Sequence, residues 1–212
     1  MDTGFEGQVS AKIVDARFAI SGKIVKVNRS KNEKVAKGEL LASLDSKILQ
    51  TELDRELSDH EKIRADWDFF TQKYPNPTDD LEYTKKEKQA SLNASVKQVE
   101  IAKYRLDQAN LFSPVEGILY DDGGIIAGQN VTPAGSAIKI IDTSSYYFEF
   151  EIEQKDVVNF NQTKNCKVII EGIGEFDGHT EPVFSDGKKF LVNVKLPNPQ
   201  NLLIGMKGVV KM

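Results

Sequence analysis

Cysteine occurs once in 212 residues, at Cys166, which excludes an internal disulfide framework and a multi-cysteine metal site. The three methionines (Met1, Met206, Met212) are too few for a methionine-based copper or silver site. No apolar run is long enough for a membrane-spanning helix, and no signal-peptide pattern precedes Gly4. The net charge is only −4, and no Lys/Arg cluster is interleaved with aromatics, so nucleic acid is not an expected partner. Glycine is missing from one long stretch, between Gly38 and Gly117. That gap divides the chain.

On the N-terminal side of the gap, "QVSAKIVDARFAI" and "GKIVKVNRSKNEKVAKGELLASLD" read as strands, with a polar loop over Asn28–Lys34 and a turn at Lys37-Gly38. Inside the gap the period changes. Leu49, Leu53, Leu57, His60, Ile63, Trp67 and Phe70 step by three and four, which predicts a helix capped by Asp45 or Ser46. The two prolines of "KYPNPTDD" stop it. A second helix restarts at Thr78 or Asp79, marked by Leu92, Val96, Val99, Ala102, Leu106 and Ala109, and ends before Ser113-Pro114. Two such helices with a short turn form an antiparallel coiled coil about 40 Å long.

Strands and glycine turns resume over Pro114–Asp142, with "DDGG" at Asp121–Gly124 predicted as a hairpin turn. The remainder reads as a small all-β unit: "YYFEFEIE", "CKVIIEGI", "KFLVNVKL" and "MKGVVKM" are strands, "QKDVVNF" is a short helix, and "LPNPQNLLIG" is a loop.

The two segments flanking the gap repeat one another. "SGKIVKV" and "VAKGELLASLD" are echoed by "EGILYDD" and "VTPAGSAIKIID". Gly22 to Val35 is 13 positions and Gly117 to Val131 is 14; Val35 to Asp45 is 10 and Val131 to Asp142 is 11. Each half alone would expose its apolar face, so the pair is expected to interlock as one sandwich. The helices then sit where the first half hands over to the second, and their ends must meet.

This pattern resembles the membrane fusion protein, or periplasmic adaptor, family, which includes hemolysin-secretion-type and multidrug-efflux-type subunits. The residues that carry the resemblance are "ISGKIVKV…VAKGELLASLD", "LFSPVEGILYDD…GQNVTPAGSAIKIID", and, for the barrel, "FEFEIEQKDVVNF" with "LLIGMKGVV". It implies a mixed β fold with an α-helical hairpin: a biotinyl-lipoyl-like β-sandwich split by an antiparallel coiled coil and followed by a small β-barrel. The expected units are 17–45 plus 112–142 for the sandwich, 46–111 for the hairpin with its tip at about 73–80, and 1–16 plus 143–212 for the barrel. It further implies a non-catalytic subunit without cofactor or metal, self-associating into a ring in the cell envelope or periplasm. Its partner would be an inner-membrane transporter of ABC or RND type. The membrane anchor of the full-length protein is expected to be absent from this chain. Members that dock an outer-membrane duct carry an arginine, leucine and serine at fixed spacing beside the tip. Here Arg64 is followed four positions later by Asp68, so docking to a duct stays open.

Two further readings remain beside the adaptor: a lipoyl or biotinyl carrier subunit, and a coiled-coil envelope scaffold without export duty. A carrier needs an exposed lysine on the turn joining the halves. The nearest lysine, Lys47, falls in the first helical turn without "MKM" or "DKA" around it.

Trp67, Phe69, Phe70, Tyr74, Leu81 and Tyr83 cluster at the expected tip. They are candidates for contact with a partner, and, the reading preferred from sequence, for stapling the helices together where "TKKEKQ" offers no apolar residue. His60 is expected in the helix seam and His179 in a turn. Glu175, Asp177, His179 and Glu181 alternate, a spacing that does not by itself supply metal geometry. Cys166 is expected as a small buried filler.

Overall fold

Alternation and helical period sort the chain into two β units and one helical pair. The computed structural model describes residues 4–196 and 202–212. The elements before the gap are β1 (Phe5–Ser10), β2 (Ile13–Ala16), β3 (Gly22–Val27), β4 (Lys34–Val35) and β5 (Leu40–Leu44). The helices are α1 (Lys47–Lys73) and α2 (Asp79–Asp107). Then come β6 (Asn110–Phe112), β7 (Gly117–Asp121), β8 (Asn130–Val131), β9 (Ile138–Asp142) and β10 (Tyr147–Ile152). A 3-10 helix (Gln154–Phe160) precedes β11 (Asn165–Ile170), β12 (Gly174–Thr180), β13 (Phe184–Ser185), β14 (Phe190–Lys195) and β15 (Lys207–Lys211).

The sequence repeat becomes an exchange of strands. One four-stranded sheet runs β2-β9-β7-β4, the other β6-β5-β3-β8. Each half contributes its short strand, β4 or β8, to the sheet built by the other half. Gly22 pairs with Val131, and Val35 with Gly117. The shared core holds Ile24, Val35, Leu41 and Leu44 from the first half and Leu119, Val131, Ile138 and Ile140 from the second. The split sandwich expected from the repeat is present.

Two boundaries differ. Residues 110–111, expected in the hairpin, open β6 and pair with β5 in the sandwich. The barrel unit was expected to take residues 1–16, but Ile13–Ala16 pairs with Ile138–Ile141 in the sandwich sheet. Only β1 of that segment joins the barrel, where it lies between β10 and β15. The edge of β9 is open to pairing and β2 supplies it. This satisfies backbone groups that would otherwise face water at a sheet edge.

The barrel closes through six strands in the order β10-β1-β15-β11-β12-β14, with β14 returning to β10. Alternation in "YFEFEI" turns Phe148, Phe150 and Ile152 inward. Val9, Val168, Val192, Val194 and Val210 complete the core. Phe160, from the 3-10 helix, packs edge-on against Phe5 and Phe150, with ring centroids 5.4 and 5.5 Å away. "QKDVVNF" therefore forms a single 3-10 segment that brings Phe160 onto the barrel core.

Two local expectations change. "DDGG" is a turn, with both glycines at positive φ (66° and 63°), but it leads from β7 to β8 in the opposite sheet and so does not close a hairpin. His179 lies on β12, not in a turn. Of the predicted loop "LPNPQNLLIG", residues 197–201 lie outside the described residues.

Candidate functional site: the hairpin and its tip

The hairpin grows from two adjacent points of one sheet. β5 delivers the chain to α1 and β6 receives it from α2; Ser43 pairs with Asn110, and Leu44 N donates to Ala109 O at 2.8 Å. Asp45 Oδ1 accepts from Lys47 N (3.1 Å), satisfying one of the free donors of the first turn. Thr78 is the N-cap of α2, and Asp79, Asp80 and Glu82 place negative charge at its positive end.

Among the described residues, each helix packs chiefly on the other, and Leu49 at the base of α1 also packs against the sandwich core. Among the less exposed positions, one series runs Leu49, Leu53, Glu56, His60, Ile63, Trp67 and Phe70 on α1 to the capping Tyr74, and another runs Leu81, Lys85, Lys88, Leu92, Ser95, Val99, Ala102 and Leu106 on α2; Glu52, Thr71, Glu82, Thr84 and Gln89 are half-buried beside them. The spacing alternates four and three on both helices, a heptad seam. Three residues assigned to the stripe from sequence fall outside it: Leu57 is 41% exposed, Val96 38%, and Ala109 lies past the end of α2, buried in the sandwich core. Keeping the alternation strict moves the seam from Leu57 to Glu56 and from Val96 to Ser95.

The seam is partly polar. His60 Nδ1 lies 2.9 Å from Ser95 Oγ, and the Ser95 hydroxyl donates to Leu92 O (2.8 Å). With its only proton so used, the Ser95 oxygen accepts from His60 Nδ1–H. His60 is thus the seam residue expected. Arg105 reaches Glu52 across the pair at 3.4 Å, and Lys88 pairs with Asp66. Sequence reasoning missed Ser95, Lys88 and Glu56 because polar residues do not register in a search for apolar period.

The turn between helices spans residues 74–78, inside the expected tip. Of the six candidates there, Phe70 is 5% exposed and stacks on Tyr74 (5.3 Å between centroids), with Lys88 Nζ 5.8 Å from its ring. Trp67, Tyr74 and Leu81 are half-buried on the seam. Phe69 and Tyr83 face outward, 62% and 78% exposed. Lys73 lies over Phe69 (5.7 Å) and Lys86 over Tyr83 (5.9 Å), so each exposed ring presents a hydrophobic face edged with positive charge. Arg64 and Asp68 form an exposed i,i+4 pair at 3.9 Å.

The remaining candidates are dispersed. Lys47 is exposed in the first turn of α1. His179 Nδ1 lies 2.8 Å from Asn165 Oδ1 on the paired strand, and Glu175 pairs with Lys167 at 3.6 Å. No three His, Cys, Asp or Glu side chains come together in a metal-holding group among the described residues. Cys166 lies in the barrel core, and burial pushes its thiol up to about 11. Among the described residues, no helix is long and apolar enough to cross a membrane.

No family model and no curated protein matches the sequence. Solved structures do match, over the whole chain. A MacA–MexA chimera carrying the α-hairpin domain of Pseudomonas aeruginosa MexA covers 100% of this chain and 82% of its own, with TM-score 0.80 at 19% identity. The membrane fusion protein Spr0693 of Streptococcus pneumoniae covers 99% and 97%, with TM-score 0.75 at 14% identity. MacA of Actinobacillus actinomycetemcomitans covers 99% and 78%, with TM-score 0.61 at 18% identity. At these identities the likeness is one of fold: sandwich, hairpin and barrel are arranged as in membrane fusion proteins.

Proposed function

We propose that this protein is the adaptor subunit of an export system of ABC or RND type, linking an inner-membrane transporter to an outer component in the cell envelope. The observation that carries the reading is mechanical. An arm about 40 Å long leaves an interlocked sandwich from two paired positions, Ser43 and Asn110, and ends in two exposed aromatics. Such an arm bridges a gap and has no need of chemistry. In this reading the full-length protein is anchored to the inner membrane and self-associates into a ring. At the tip, Phe69 and Tyr83 touch the outer component, while Trp67, Phe70, Tyr74 and Leu81 hold the helix ends together.

The test is genetic and chemical. Deleting the gene is expected to reproduce the export defect caused by deleting its transporter. A photo-crosslinker at Phe69 or Tyr83 is expected to trap an envelope protein, and one at Leu57 is not. Normal export in the deletion strain overturns the adaptor reading and leaves an envelope scaffold. The carrier alternative is opposed by the position of Lys47 inside α1. A mass increase after co-expression with a lipoate or biotin ligase would restore it.

A further inference from the structure

The outer face of the barrel carries a feature unrelated to the hairpin. Because Phe148, Phe150 and Ile152 turn inward, Glu149 and Glu151 point outward from β10. On that face Glu6 stands opposite Val209, Val209 opposite Ile169, and Glu151 opposite Leu191. The three apolar side chains are half-buried and lie in a groove of about 830 Å³.

The charge of this groove is one-sided. Five carboxylates line it (Glu6, Glu149, Glu151, Glu171, Asp186) against two ammoniums (Lys189, Lys207), so 2 − 5 gives −3. The whole chain carries only −4. Lys189 is already engaged by Glu151 at 2.6 Å, and among the described residues Glu6, Glu149 and Glu171 make no ion pair. The carboxylates do not converge as metal ligands do. They are distributed around an apolar strip, which suits a ligand whose positive charges are likewise spread along its length.

From this charge pattern we propose that the groove docks a basic, partly apolar polypeptide segment of a partner protein, laid across β14, β10, β1, β15 and β11. Leu191, Val209 and Ile169 receive the apolar side chains, and Glu6 and Glu149 the basic ones. The proposal stands on the groove and does not depend on the export reading.

The experiment is fluorescence anisotropy on the 212-residue chain. The probe is a labelled octapeptide of alternating lysine and leucine, and the comparator alternates glutamate and leucine. The basic peptide is expected to bind and to weaken as salt rises from about 50 to about 300 mM. Replacing the unpaired pair, Glu6→Gln with Glu149→Gln, is expected to weaken binding about tenfold. An equal charge change on the helices, Glu61→Gln with Glu87→Gln, is expected to stay within about twofold. Equal losses for the two pairs, equal binding of the acidic peptide, or no binding up to about 1 mM would each overturn the proposal.

Discussion

Val35 stands directly across the sheet from Gly117, the residue that opens the second half of the repeat. Its counterpart, Val131, stands across from Gly22, which opens the first. The two crossings are related by the repeat, yet their surroundings differ. A Cβ on Gly117 would lie 2.0 Å from the carbonyl oxygen of Ile141, whereas one on Gly22 would first meet Leu44 Cδ1 at 3.0 Å. Backbone cannot step aside; the end of a leucine side chain can. Gly117→Ala is therefore expected to destabilise the protein by about 1–3 kcal/mol, and Gly22→Ala by less than about 1 kcal/mol. Thermal melts of the two variants decide it, and equal losses would show that the halves are packed alike.

The tip aromatics divide by burial. Phe70→Ala removes a 5% exposed ring from the seam, and is expected to cost about 3 kcal/mol, seen as earlier loss of the helical circular dichroism signal. Phe69 is 62% exposed, and Phe69→Ala is expected to change stability by no more than about 0.5 kcal/mol. A destabilising Phe69→Ala would return that ring to a packing role.

Cys166 is held as a neutral thiol by the barrel core, its pKa raised to about 11 by burial. A thiol reagent near pH 8 is expected to spare it in the folded protein and label it on unfolding. The folded pKa lies above that of the unfolded chain, so the unfolded state loses its proton first. The stability tied to this group is complete below the unfolded pKa and declines as pH rises toward about 11. Cys166→Ala is expected to lose that part of the alkaline decline, measurable as a narrower stability gap between neutral and alkaline pH.

Glu39 ties the turn at Gly38 (φ +80°) to the sandwich. Its carboxylate accepts from Ala36 N at 2.8 Å and from Arg29, and these contacts, the Ala36 N–H first, hold its carboxyl below the usual range. A depressed carboxyl contributes stability above the unfolded pKa and loses it as pH falls through the folded one. Glu39→Gln is expected to lower the melting temperature near neutral pH. The difference from the parent protein is expected to shrink on acidification, and a constant gap would show that the charge of Glu39 is irrelevant.

Much of the fold was legible because it repeats. The echo of Gly22–Asp45 in Gly117–Asp142 carried the sandwich, and the change of period at Leu49 carried the hairpin. What escaped has physical causes. Residues 13–16 alternate as any strand does, and nothing local says whether they pair with β9 or with the barrel. The seam positions Glu56, Ser95 and Lys88 are polar, so Leu57 and Val96 drew the stripe toward themselves. The outward acids of the barrel are ordinary along each strand, and only the long-range pairing of β1 with β10 brings Glu6, Glu149 and Glu151 to one groove. At the tip, clustering was visible, but the division between buried Phe70 and exposed Phe69 depends on which side of the helix meets its partner.

Because the helices leave and re-enter the sandwich at the paired residues Ser43 and Asn110, their length is uncoupled from the unit that carries them. Removing or adding one heptad in both helices keeps the seam in phase and moves the tip by about 10 Å. The hairpin is thus an arm of adjustable reach, whose length can change without redesigning the sandwich that carries it.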